Sequence, residues 1–222
     1  VDPSLRLPDE IRPPPGYAPY GTSIERQLRY IFGNIKGSLD SLGSSMNHVM
    51  KINSYHTQPT ELDAALRVRR EWFEVENPPP STLVMATETL VPSATVMIDV
   101  TALAVDSVMQ RRAIDEANTP RIPHSQIFGW PVYSQVLKGG GFVFTAGVAM
   151  RHHNGAVPDP EMLPDLEFPY SRNRFRIVTE RILEDLMSIL EGAGCSASDV
   201  VRAEVYVDDP KHLAVLNEVW EQ

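Results

Sequence analysis

An α+β fold made of two copies of one small module is what this sequence predicts, and three observations predict it. Apolar residues recur at helical spacing in some stretches and at alternate positions in others. A helix–strand–helix pattern occurs twice at one constant offset. Between the two occurrences, residues 106–128 lose periodicity and contain Pro120 and Pro123, as a linker does.

Residues 1–21 hold Pro3, Pro8, Pro13, Pro14, Pro15 and Pro19, a density that suits neither helix nor central strand. Thr22 and Glu25 then form a capping-box pattern, and Ile24, Leu28, Ile31, Ile35, Leu39 and Leu42 continue at helical spacing until Gly43. From Val49 to Tyr55 one parity carries Met50, Ile52 and Ser54 and the other Lys51, Asn53 and Tyr55, which predicts a strand with one buried face. A second helix is expected from near Thr60, with Asp63 three residues on, through Leu62, Leu66, Trp72 and Phe73, before Pro78, Pro79 and Pro80 stop it. Thr82–Thr87 and Thr95–Val105 are rich in β-branched residues and read as paired strands.

After the linker, Val132–Leu137 and Phe142–Gly147 flank Gly139, Gly140 and Gly141, the pattern of a hairpin with a glycine-rich turn. A proline-rich loop follows, and then Phe175, Val178, Ile182, Leu186 and Ile189 mark an amphipathic helix ending at Gly192 and Gly194. Val201, Ala203, Val205 and Val207 share one face of an expected strand, and Asp209 with Pro210 opens a helix carrying Leu213, Leu216, Val219 and Trp220. The two units correspond: Leu42-Gly43-Ser44-Ser45 with Ala193-Gly194-Cys195-Ser196, Val49 with Val200, Lys51 with Arg202, Tyr55 with Tyr206, Pro59 with Pro210, Leu62 with Leu213. All pairs share the offset that separates Gly43 from Gly194, 194 − 43 = 151 residues. The expected organisation is a first module over 1–105, a linker over 106–128 and a second module over 129–222.

Composition narrows function. Of 222 residues, 42% are hydrophobic and 22% charged, enough apolar matter for a sizeable core. The net charge of −9 repels a polyphosphate, and no basic run exceeds Arg69-Arg70 or Arg111-Arg112, so nucleic acid is not an expected partner. The single Cys195 has no internal partner for a disulfide, and no long apolar span predicts a membrane segment; a cytoplasmic setting is the expectation. Adjacent His152 and His153 diverge on a strand and have no ligand at suitable spacing, so no metal or other cofactor is expected. Cys195 lies in a turn without a histidine to activate it, the triple glycine lacks the lysine of a phosphate loop, and Asp208-Asp209 reads as a cap.

The segment from Gly192 to Trp220, GAGCSASDVVRAEVYVDDPKHLAVLNEVW, resembles the middle of the RidA/YjgF family of enamine and imine deaminases, and so does its counterpart in the first unit. Gln27, the helix bearing Asn34, Gly43 and the strands STLVMATETLVPSATVMIDVTALAV fit the same pattern, and YSQVLKGGGFVFTAGV resembles the family's opening hairpin. The resemblance covers about residues 24–105 and 129–222. It implies a chorismate-mutase-like module, a mixed six-stranded sheet with two helices on one face, assembled as trimers with clefts between neighbouring subunits. Against that pattern the first module lacks an opening hairpin before Gln27, and the second lacks its closing strands. Either the chain is part of a longer one, or the incomplete units complete a sheet between them or between chains, since an open edge invites pairing.

The resemblance also implies chemistry. Family deaminases grip the substrate carboxylate with an arginine just before a closing strand, where a planar guanidinium gives a bidentate pair, and water attacks the imine carbon. Here that position is Pro80, and Val148 stands where a glutamine often follows the hairpin glycine. Tyr133 matches a cleft tyrosine, Asp99 stands near a family carboxylate able to position water, and Ser81 and Thr82 offer hydroxyls to a ligand. Asp99 and Tyr133 are therefore the candidate catalytic residues, and Tyr133, Ser81 and Thr82 the candidate substrate-binding ones. The plainer alternatives are packing for Tyr133, a solvated acid for Asp99 and strand entry for Ser81 and Thr82. The resulting expectation is a hydrolase acting on small imines or enamines in a cleft between modules, within a homo-oligomer. Its rivals are a catalytically silent module that binds a small molecule or scaffolds an oligomer, and a ribonuclease, which the acidic balance disfavours.

Overall fold

A computed structural model of the chain describes residues 22–74, 77–104, 112–113, 133–149 and 174–221. The proline-rich residues 1–21, most of the 106–128 linker, and His152 with His153 lie outside the described residues. The chain divides into two compact units. The first holds described residues 22–104, apart from 75 and 76, with 112–113 and 133–147; the second holds 148–149 and 174–221.

In the first unit, α1 (Ser23–Ser41) begins where the capping-box pattern predicts: the Thr22 backbone N–H donates to the Glu25 carboxylate at 2.7 Å. It ends at Gly43, whose φ of +70° lets the Ser44 N–H reach back to the Leu39 carbonyl at 2.8 Å. Strand β1 (Val49–His56) follows. The second helix, α2 (Leu62–Trp72), starts later than Thr60, because Pro59–Glu61 first make a tight 3₁₀ turn. Strands β2 (Ser81–Met85) and β3 (Val96–Ala102) then flank β1, β2 parallel and β3 antiparallel, in the order β2-β1-β3. Ile24, Leu28 and Phe32 of α1, Ala65 and Val68 of α2, and Val49, Ile52 and Val96 of the sheet form one buried cluster. Phe32 meets Phe73 edge-on at 5.5 Å between ring centres.

A second three-stranded sheet contains β4 (Arg112–Ala113), β5 (Val136–Gly139) and β6 (Phe142–Thr145), in that order and antiparallel. Its hairpin, expected to open the second module at residue 129, lies in the first unit. The Ser134 N–H donates to the Pro78 carbonyl and the Gly147 N–H to the Ser81 carbonyl, both at 3.0 Å. Gly139 sits so close to Met50 and Leu103 that a Cβ there would come within 2.9 Å of Met50 Cε and Leu103 Cδ1. The reason is the outer edge of β2, whose backbone groups take a partner distant in sequence as readily as a near one. The six strands among the described residues of the first unit thus form two sheets of three, linked by isolated hydrogen bonds at Pro78 and at Ser81, the first residue of β2.

The second unit repeats the helical part of the first at the predicted offset. Its α3 (Arg174–Gly192) occupies the positions of α1, the 3₁₀ turns at Ala197–Asp199 and Pro210–His212 match those at Met46–His48 and Pro59–Glu61, and α4 (Leu213–Trp220) starts where α2 does. Gly194 has φ +74°, and the Cys195 N–H reaches the Leu190 carbonyl at 2.8 Å, as Ser44 reaches Leu39. Asp209 caps as expected, accepting from the Lys211 N–H at 2.9 Å. Residues 200–207, expected as a strand, have no ladder partner among the described residues, because nothing there corresponds to β2 and β3.

Candidate functional site

The strand registers gather polar side chains across the first sheet. Thr82 of β2 and Asp99 of β3 both stand opposite Asn53 of β1, so the three form one row. Asn53 is buried and its Nδ2 donates to Asp99 Oδ1 at 3.1 Å, while the Asp99 side chain reaches solvent. Two residues along β1 on the same face, Lys51 donates from Nζ to Thr82 Oγ1 and to the Thr145 carbonyl, each at 2.7 Å. Gly147 closes this corner. A Cβ there would lie 2.8 Å from both Oγ1 and Cγ2 of Thr82, so the hairpin approaches this close only with glycine.

Ser81 points the other way, as alternate strand residues must. Its Oγ accepts from an Arg69 guanidinium nitrogen at 2.6 Å, and a second Arg69 nitrogen donates to the Pro79 carbonyl at 2.9 Å. Arg69 is buried on α2, its guanidinium carbon 6.0 Å from the centre of the Phe73 ring. Burial lowers its pKa to about 10, and the nearby Tyr133 opposes that shift. The sequence candidates therefore separate into two groups: Thr82 and Asp99 join Asn53 and Lys51 on one face, while Ser81 and Tyr133 come together around Arg69 on the other. Pro80 is fully buried and its carbonyl accepts from the Ile52 N–H at 2.9 Å, so the position matching the family arginine is part of the core.

Sequence reading missed Lys51, Asn53 and Arg69. Lys51 and Asn53 carried a signal, since both lie on the polar parity of β1. Arg69 carried none, because an arginine within an amphipathic helix reads as surface. Among the described residues no group of three or more His, Cys, Asp or Glu side chains is placed to hold a metal, and no helix is long and apolar enough to cross a membrane.

A row of one hydroxyl, one amide and one carboxylate, with a Lys ammonium beside it, offers groups of both charge signs to a small polar molecule. Comparison with known proteins finds similarity across this sheet. Residues 16–104 match the model of the Endoribonuclease L-PSP family. This is the family of the RidA/YjgF resemblance, and the matched residues span α1 to β3 and so include Lys51, Asn53, Thr82 and Asp99. A RutC family protein of Pyrococcus abyssi is 35% identical over 91 residues, which cover 40% of this chain and 61% of that protein. One from Pyrococcus horikoshii is 32% identical over 89 residues, 40% of this chain and 60% of its own. The chain thus spans about three fifths of the length of these curated relatives. Among solved structures, a protein of unknown function from Pseudomonas aeruginosa is 30% identical with a TM-score of 0.35, covering 36% of this chain and 58% of that one. A YjgF family member from Neisseria meningitidis is 22% identical with a TM-score of 0.37, covering 40% and 74%. The RidA/YjgF-type match ends at residue 104, and the likeness of the second unit to the first rests on the internal repeat.

Proposed function

We propose that the first unit is a RidA-type module that binds small imines, enamines or related carbonyl compounds and hydrolyses them. The observation that carries this reading is the row Thr82–Asn53–Asp99 with Lys51 beside it. In the reaction, water adds to the carbon of the C=N bond, the nitrogen leaves as ammonia, and a carbonyl remains. Asp99 accepts a proton from the attacking water, and the Lys51 ammonium attracts the anionic end of the substrate, a role that Pro80 excludes for an arginine at the family position. The second unit is, on this reading, a duplicate of the same module, and the assembly a homo-oligomer in a reducing cytosolic setting. A small molecule is its partner, and the net charge of −9 argues against RNA as the substrate.

A second reading, a catalytically silent module that binds a metabolite or scaffolds an oligomer, is favoured by the burial of Pro80. The experiment that separates the two is ammonia release from 2-imino acids generated in situ by an amino-acid oxidase. Release above an enzyme-free control, diminished in Asp99→Asn, supports the hydrolase; no release from folded protein supports the silent module.

A further inference from the structure

Behind the Pro79–Ser81 corner, on the helix side of the β2-β1-β3 sheet, a cation is buried with the Tyr133 phenol near it but, among the described residues, without a carboxylate. Arg69 is 8% exposed, and the two hydrogen bonds of its guanidinium go to neutral acceptors, the Ser81 hydroxyl and the Pro79 carbonyl. Its Nε finds no acceptor, and among the described residues no carboxylate forms an ion pair with it. His56 of β1 is 3% exposed, and its Nδ1 likewise has no partner. Burial and the charge of Arg69 hold the His56 pKa down at about 4, so the imidazole is neutral at pH 7 and adds no second cation. Arg69 and His56 both line one cavity of about 20 Å³, with Ser54, Leu28, Phe32 and Leu83. A space of that size matches a single water or a single monatomic ion.

We propose that this cavity is a binding site for one small monovalent anion, a halide of chloride size, held by the Arg69 guanidinium and by His56 in the tautomer that carries its proton on Nδ1. A buried charge is strongly disfavoured unless it is paired, and a neutral water leaves the guanidinium uncompensated where a halide does not. Arg69 Nε and His56 Nδ1 are both left without an acceptor, and one anion satisfies the two donors together where the apolar walls from Leu28 and Phe32 offer nothing. Because Arg69 also holds Ser81 and Pro79, the anion secures the corner from which β2 starts. No substrate is involved, so this site stands or falls independently of the proposed hydrolysis.

The test is thermal unfolding of the whole chain with sodium chloride or bromide exchanged for gluconate at constant ionic strength, which removes general screening from the comparison. The expected result is a saturable rise in Tm of a few degrees with either halide, absent in Arg69→Met. Identical Tm values in halide and gluconate, or a halide response undiminished in Arg69→Met, would overturn the proposal and leave a water in the cavity. Should Arg69→Met not fold, chlorine-35 line broadening by the wild-type protein decides: broadening that bromide displaces and that His56→Phe removes supports the site, and broadening that survives His56→Phe, or none at all, overturns it.

Discussion

His56 and Asp99 stand on opposite faces of the same sheet and respond to pH and substitution in different ways. The folded-state pKa of His56 is held near 4 by burial first and Arg69 second, below its ordinary value of 6.5. The unfolded chain therefore binds the extra proton between about pH 6.5 and 4, and stability falls as the pH drops through that window. The loss reaches at most about 3 kcal/mol, and urea unfolding of wild type and His56→Gln from pH 7 to 4 checks it, the variant showing the flatter profile. On the other face, Asp99→Asn and Thr82→Val should each lower kcat/KM for imine hydrolysis, Asp99→Asn by about 100-fold or more if it handles the proton of the attacking water. Lys51→Met should raise KM for anionic substrates more than it lowers kcat, and steady-state kinetics separates the two. Thr82 and Asp99 were visible as candidates in the sequence through the RidA/YjgF resemblance. Their meeting across Asn53 was not, since that depends on the registers of two different strand pairs.

Among the elements, the helices were the most legible, because their apolar spacing and glycine stops are local. Gly43 and Gly194 both hold positive φ at helix ends, and Gly43→Ala and Gly194→Ala should each cost about 1 kcal/mol, measured by denaturant unfolding. The start of α2 was misplaced by two residues because Pro59 favours a tight turn before the helix, a choice that Thr60 and Asp63 do not reveal. Each helix pair also carries an Arg–Glu contact, and the two contacts lie at positions the repeat does not equate. Arg29 holds Glu71 between α1 and α2, and Arg176 holds Glu218 between α3 and α4. With Arg29 and Glu71 each nearly half exposed, Glu71→Gln should cost less than about 1 kcal/mol. Phe32→Ala, which empties the centre of the first core, should cost about 3–5 kcal/mol in the same experiment.

For the whole molecule, the sequence shows two units and a duplicated helical pattern but not which unit receives the hairpin. Chain order favours the second, because Val136–Thr145 precede α3 as an opening hairpin would. The backbone edge of β2 favours the first, and hydrogen bonds to Pro78 and Ser81 decide it. The candidate site depends on that outcome, since the Thr145 carbonyl and Gly147 wall in Lys51 and Thr82. The most direct test is a pair of cysteines, Thr82→Cys with Gly147→Cys, in a Cys195→Ser background that removes the chain's one native thiol. A Cβ on Gly147 would lie 3.1 Å from the Thr82 Cβ, a few tenths of an ångström short of disulfide geometry, so a small outward shift of the hairpin lets the bond close. Mild oxidation should then close one bond within each chain, seen as loss of both thiols with no dimer on a non-reducing gel. Free thiols in the folded protein, or bonds formed between chains, would contradict the account.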